Sequence, residues 1–541
     1  MPLTATLIRR LTAVATAFLL AFSATIASVS AQPAETLTPV AANPLEVSQR
    51  VGPATVSLES SSAIVTPGTP LRLAMSASGD DSVSSVQLRL KVSRPTGRII
   101  FQRTRTAFDL GDEPAAFAFE RATDDLDLKP GAYPVEVEAR VVADGEASEA
   151  VLRASLLVFD PTAEKTPVAL AARIFAPPLS DSQGRFVSDP AVFTRARDEM
   201  NAITDLILSE PGARMTVAIA PVLLEEWKRI SLGYETVGPE GVTAVPATSP
   251  VARSYAVALT RLSQALATGR LELMSLGYAD PNLSDLAANK LTDDTVAQYA
   301  AGVSACFAAI EATPSPGTAP AGGCVPNSVI DRLIASSVSY ALVRPRCARS
   351  GDSTVGPGVY RAGDKQLIAL VSDDVAAKYV ASGDASGVAA ATFARHTSDD
   401  PGRPLPILVE LGPGRATASA SVVSAARTYL KQPWVRLVRA RDMARQPEAR
   451  VQLVSGPKDR KVPVGYWAEV AQARLNAAGL TSATAAGDAN AVQAQRDSLL
   501  AESSAWAGPA GDWVLAERGR GFSAASLRTS RAIFDAIRLA I

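Results

Sequence analysis

A single histidine, His396, is the scarcest chemistry in this chain of 541 residues. Zinc sites of deacetylases and metalloproteases generally draw on two or more histidines, which argues against that metal chemistry. A histidine-based triad is confined to His396, and its polar surroundings, Arg395–Pro401, read as a solvent-exposed loop. Concentrated positive charge is missing as well. The 53 Lys and Arg balance 54 Asp and Glu, and no long basic run occurs. Nucleic acid is therefore not an expected partner, because phosphate binding needs clustered cations. Past the N-terminus no stretch approaches the ~20 apolar residues that span a bilayer. Only three cysteines are present, Cys306, Cys324 and Cys347. An odd count leaves one thiol over, and Cys324 with Cys347 is the expected pair because they flank two strands that should be neighbours.

What is present begins with an address. Arg9 and Arg10 precede an apolar stretch, Leu11–Val29, that ends in Val29-Ser30-Ala31. This is the pattern of a secretory signal peptide over residues 1–31, with an uncleaved membrane anchor as the alternative. Residues 32–53 are rich in Pro and Ala and read as a flexible leader. From residue 54 to 160 apolar and polar residues alternate, as in Val86-Gln87-Leu88-Arg89-Leu90-Lys91-Val92, with turns at Thr66-Pro67-Gly68 and Lys129-Pro130-Gly131. About seven such strands predict an immunoglobulin-like β-sandwich.

From residue 164 to 444 the period changes to strand followed by helix. Wholly apolar strands are expected at Val168–Phe175, Met215–Ala220, Leu271–Leu276, Gly323–Val325, Ser339–Val343, Gln366–Val371, Pro406–Leu411 and Val435–Val438. Such strands separated by helices belong to a parallel sheet covered on both faces, here a (β/α)7-type barrel, with an open doubly wound sheet as the alternative. No Gly-x-Gly-x-x-Gly follows the first strand. Residues 445–541 read as an α-helical C-terminal region. The chain is thus expected to be multidomain.

Barrel sites form past the carboxyl ends of the strands. Those positions hold Tyr278 and Asp280, Asn327, Arg344, Asp373 and Asp374, and Glu410. Glu410 lies inside Ile407-Leu408-Val409-Glu410-Leu411, where a carboxylate is costly unless paired or facing a polar cavity. Carboxylates on separate strand ends are what glycoside hydrolysis uses, one as acid and one as nucleophile or base. Asp280, Asp373, Asp374 and Glu410 are therefore the catalytic candidates. The plainer readings are a cap at Asp280 and an ion pair of Glu410 with Arg344 or Arg415.

Thr216-Val217-Ala218-Ile219-Ala220-Pro221, Leu276-Gly277-Tyr278-Ala279-Asp280-Pro281, Val325-Pro326-Asn327, Pro433–Val438 and Leu499–Trp506 follow one another in an order that resembles the glycoside hydrolase/deacetylase superfamily. The likeness is to glycoside hydrolase family 57 barrels, closest to exported bacterial proteins of this kind. The resemblance implies a glycan at the barrel mouth, with Tyr278 and Trp434 stacking on sugar and Asn327 and Arg344 binding it. No cofactor is expected. In that family the fourth strand ends in a nucleophilic Glu, and Asn327 stands at the matching place, so the resemblance implies weak or lost catalysis. Two alternatives stand beside it: an active hydrolase with rearranged carboxylates, and a scaffold for envelope proteins.

Overall fold

The computed structural model describes residues 45–541 apart from 61–63, 95, 111–113, 187–193, 239, 399, 401, 413–414, 446, 448, 457–461, 507–512 and 541. The expected signal segment lies outside the described residues. The leader expected to reach residue 53 ends earlier. Leu45–Val51 is a strand paired antiparallel with Ala54–Ser60. Gly52, at φ +59°, makes the tight turn that reads in sequence as flexible Gly-Pro.

Two sheets follow. One orders Leu45–Val51, Ala54–Ser60, Pro70–Ser78 and Ala115–Ala122, and the other Ile64–Val65, Glu146–Val158, Gly131–Ala143, Val83–Ser93 and Ile99–Phe108. Alternation drives both: Leu71, Leu73 and Met75 from one and Val86, Leu88, Leu90 and Val92 from the other enter a single buried core. The intervening residues face outward, where Glu138 pairs with Arg89 and Lys91 and Glu136 with Arg153. Leu90 is wholly buried, so truncation to Ala costs about 2–5 kcal/mol.

The parallel strands, numbered in chain order, are β1 (Thr166–Ile174), β2 (Met215–Ile219), β3 (Leu271–Ser275), β4 (Gly317–Thr318), β5 (Tyr340–Val343), β6 (Ile368–Val371), β7 (Leu405–Leu411) and β8 (Val435–Leu437). Hydrogen bonding gives one run β3-β2-β1-β7 and another β4-β5-β6. A parallel bridge between Met274 and Ser315 joins β3 to the approach of β4. At the other seam Asp373 donates its N–H to the Pro406 carbonyl (2.8 Å), and Leu408 donates to Ser372 Oγ (2.9 Å). β1 to β7 thus follow one another in a ring, while β8 pairs with the start of β1. The β6–β7 seam is sparse because the other edge of β6 is taken by antiparallel Gly358–Ala362.

Parity along these strands sorts side chains. Ala169, Ala171, Ala218, Met274, Tyr340, Leu342, Leu370 and Leu408 share one cluster inside the ring. Their neighbours Val168, Leu170, Val217, Leu273, Ile407 and Val409 pack outward with residues of the covering helices. That is why both faces of these strands are largely apolar.

Three expectations need correction here. The fourth strand is Gly317–Thr318, not Gly323–Val325; the latter residues form part of a loop with a 3₁₀ turn at Ala321–Gly323. The segment after residue 445 is not wholly helical, since Arg450–Leu453 is a strand pairing with Gly358–Ala362 and Ala348–Ser350. His396 ends the helix Ala385–His396 and is buried beside Phe393 and Trp434, not exposed in a loop. The last three helices are Tyr466–Ala483, Ala489–Ala501 and Trp513–Ala540. Gly519 lets them close up: a Cβ there would meet Trp506 at 2.8 Å.

Candidate functional site

Inward parity places Arg173 two positions past Ala171, and Glu410 two past Leu408, both at the carboxyl end of the ring. They are register partners on β1 and β7. The Arg173 guanidinium is 1% exposed and binds the Asp280 carboxylate, 5% exposed, with Nη2–Oδ1 at 2.6 Å. Its Nε donates to the Ala319 carbonyl at 3.0 Å. Burial pulls the Arg173 pKa down, but the charges of Asp280 and Glu410 outweigh it and the net shift is upward. Asp280 sits at φ +55°, a left-handed conformation that Asp tolerates better than most residues. Ser504 holds it there, donating its hydroxyl to Oδ2 (3.0 Å) and its N–H to the Asp280 carbonyl (2.9 Å). The last helices are thereby tied into the mouth.

Beside this pair lies a groove of about 310 Å³, lined by Arg344, Asp374, Lys378, Leu408, Glu410, Arg415 and their neighbours. Arg344 reaches both carboxylates: Nη1 is 3.1 Å from Asp374 Oδ1 and Nη2 is 3.8 Å from Glu410 Oε1. Arg415 Nη1 lies 3.1 Å from Glu410 Oε2, and its guanidinium covers the Phe175 ring at 5.3 Å. The stem of Arg344 lies against Gly323, where a Cβ would come within 2.5 Å of Arg344 Cγ. Gly323 has φ +70°, and its carbonyl accepts the Arg344 N–H at 2.9 Å. Cys324 and Cys347 are disulfide-bonded on either side of this contact, Cα atoms 5.1 Å apart. The bond holds the loop that aims Arg344.

Of the residues picked from sequence, Arg344, Asp374 and Glu410 meet in this groove. Asp280 is next to it through Arg173. Asp373 is not part of it: its carboxylate accepts the N–H groups of Val375 and Ala376 (both 2.9 Å) and caps the helix Asp374–Ser382. Asn327 opens a 3₁₀ turn and lines a separate depression with Arg349, Asp364, Lys365 and Arg450. Nine residues beyond β4, it does not stand at that strand's end. Ala319 does, so no carboxylate is presented there.

The two aromatic candidates also fall elsewhere. Tyr278 turns toward the outer helices and donates to Glu225 Oε2 at 2.8 Å, and burial pushes its phenol well above the ordinary value. Trp434 has no exposure and packs edge-on to Phe393 with ring centroids 4.7 Å apart. It precedes β8 and its carbonyl accepts the N–H of Thr166 at the start of β1, so it belongs to the opposite end of the ring. Neither can stack on a sugar at the mouth.

Sequence reasoning missed Arg173 and Lys378. Arg173 gave the same signal as Glu410, a lone charge in an apolar strand, and the two are partners. Among the described residues, no group of three or more His, Cys, Asp and Glu is placed to hold a metal ion, and no helix is long and apolar enough to cross a membrane.

No family model and no curated protein matches the chain. Solved structures do. The α-amylase AmyC of Thermotoga maritima superposes with a TM-score of 0.52 over 68% of this chain and 94% of that one, at 12% identity. The fold is glycoside hydrolase-like. A Parabacteroides distasonis protein described as a glycoside hydrolase/deacetylase is a more distant likeness, with a TM-score of 0.32 over 51% of this chain and 70% of that one, at 8% identity. At these identities the likeness with AmyC speaks for architecture alone, and the mouth has to be read from its own residues.

Proposed function

We propose that the chain is an exported cell-envelope protein whose barrel binds glycan at its mouth with hydrolysis weakened or lost. In this reading it joins an immunoglobulin-like sandwich, a (β/α)7-type barrel and a helical C-terminal region. The fold of AmyC supports a glycan-related role. The observation that carries the reading is the pairing of the described mouth carboxylates with guanidinium groups: Asp280 with Arg173, Asp374 with Arg344, and Glu410 with Arg344 and Arg415. Glycoside hydrolysis needs one carboxyl to give a proton and another to attack or to activate water. Carboxylates committed to arginines are poorly placed for either task, and Ala319 ends the strand where the resemblance called for a nucleophile. The export reading rests on the N-terminal Arg9-Arg10 and apolar stretch, and a disulfide suits an oxidising compartment.

Asp374 and Glu410 sharing one groove favours a second reading, an active hydrolase with a rearranged pair. The full chain on a glycan array, beside Glu410→Gln, separates the two when combined with assays of product release. The proposal expects binding without product. Hydrolysis by the parent protein that Glu410→Gln abolishes would establish the second reading instead. Binding to no glycan at all would remove both.

A further inference from the structure

The groove's lining has a property that the glycan reading does not use. Neutral sugars are commonly held against exposed aromatic faces, and no aromatic among the described residues lines this groove. The Phe175 ring is covered by the Arg415 guanidinium. What the groove offers is charge. Three cations, Arg344, Lys378 and Arg415, face two carboxylates, Asp374 and Glu410. Arg344 divides its guanidinium between both carboxylates, and its approach to Glu410, 3.8 Å, is well beyond the ~2.7–2.9 Å of a charge-assisted hydrogen bond. That edge of the fork has donor capacity left over. Lys378 stands one turn past Asp374 on the helix Asp374–Ser382, is exposed, and makes no ion pair or hydrogen bond among the described residues. Unspent cations around a concave polar site suit an anion, and a planar guanidinium matches a carboxylate better than a hydroxyl.

We propose that the groove takes an acidic saccharide, a uronate-bearing chain whose sugar carboxylate is held among Arg344, Arg415 and Lys378. Lys378 sets the preference for charged over neutral chains. The inference rests on the glycan-binding reading and narrows it. The electrostatic part of the binding weakens as salt rises, because the site is open to solvent.

The test is calorimetric titration of the full chain with three probes: an oligogalacturonate, a neutral galactose oligosaccharide of equal length, and a polyglutamate peptide of equal charge. The expected result is measurable binding of the oligogalacturonate, and weaker or no binding of the other two. Lys378→Gln should weaken the oligogalacturonate by up to about fivefold, the range of one exposed ion pair, and leave its thermal midpoint unchanged. Equal or tighter binding of the neutral chain overturns this inference while the glycan reading stands. Binding of neither saccharide overturns both. Polyglutamate binding as tightly as the oligogalacturonate shows a bare polyanion surface and overturns the saccharide assignment. An unchanged affinity in Lys378→Gln removes Lys378 from the site.

Discussion

At the floor of the ring, Glu272 is satisfied without any cation. It accepts the hydroxyls of Tyr340 and Thr216, the latter at 2.8 Å, and the N–H of Arg441 at 3.1 Å. The short helix Ala440–Met443 caps it, and Ala440 donates its N–H to Thr216 Oγ1 at 2.9 Å. At the mouth, Asp280, Asp374 and Glu410 are satisfied by arginines, and the cations outnumber the carboxylates of the groove. Glu272 is buried at the floor, whereas Asp374 and Glu410 line an open groove at the mouth. A network closed on backbone and hydroxyls has nothing left to offer a ligand, whereas one built from guanidinium forks keeps spare donors. The difference sets the two ends of the ring apart on chemistry as well as on strand polarity.

Breaking each end should expose that contrast. Asp280→Ala removes the carboxylate bonded to the buried Arg173 and should lower stability by about 3–5 kcal/mol in urea titration. Glu272→Gln removes one acceptor from a network of hydroxyls and backbone N–H groups and should cost about 1–3 kcal/mol. Equal losses would mean that the two ends are not built differently. Between these falls the disulfide. Changing Cys324 and Cys347 together to Ser releases a loop spanning 23 positions, with an expected loss of about 3 kcal/mol. It should also loosen Arg344, so binding at the groove should fall more than stability accounts for; intact binding would separate the disulfide from the site.

The smallest effect is a pH dependence far from the mouth. Burial lowers the His396 pKa, against the opposing pull of the Glu164 and Asp160 backbones and the Asp160 charge. The unfolded chain then binds more protons than the folded one just below His396's ordinary value of about 6.5, so this residue's contribution is complete above it and is lost as pH falls through that window. Urea midpoints at pH 7.5 and 5.5 should differ less in His396→Gln than in the parent protein. An identical difference would remove His396 as the source.

Much of this arrangement could be read from residues alone, and the limits have physical causes. Period-two and wholly apolar strands announced both sheet systems, and Glu410 inside Ile407–Leu411 announced its need for a partner. The fourth strand could not be read because it is two residues long, and that shifted Asn327 into a place it does not hold. Trp434 misled although it visibly precedes the strand Val435–Val438, because the resemblance was weighed over strand polarity, which puts a residue before a strand at the floor. Ser504 could not be found at all. Its partner Asp280 stands 224 positions earlier, and no local pattern reports so distant a contact.

That distance also bears on how the molecule is made. The sandwich closes on neighbours drawn from its own hundred or so residues, and can form while the rest of the chain is still being synthesised. The ring's mouth cannot. Until the ribosome has delivered Ser504, Asp280 lacks the two hydrogen bonds that hold it in its left-handed turn opposite Arg173. A nascent chain stopped before residue 504 carries every strand of the ring and still has an unfinished entrance.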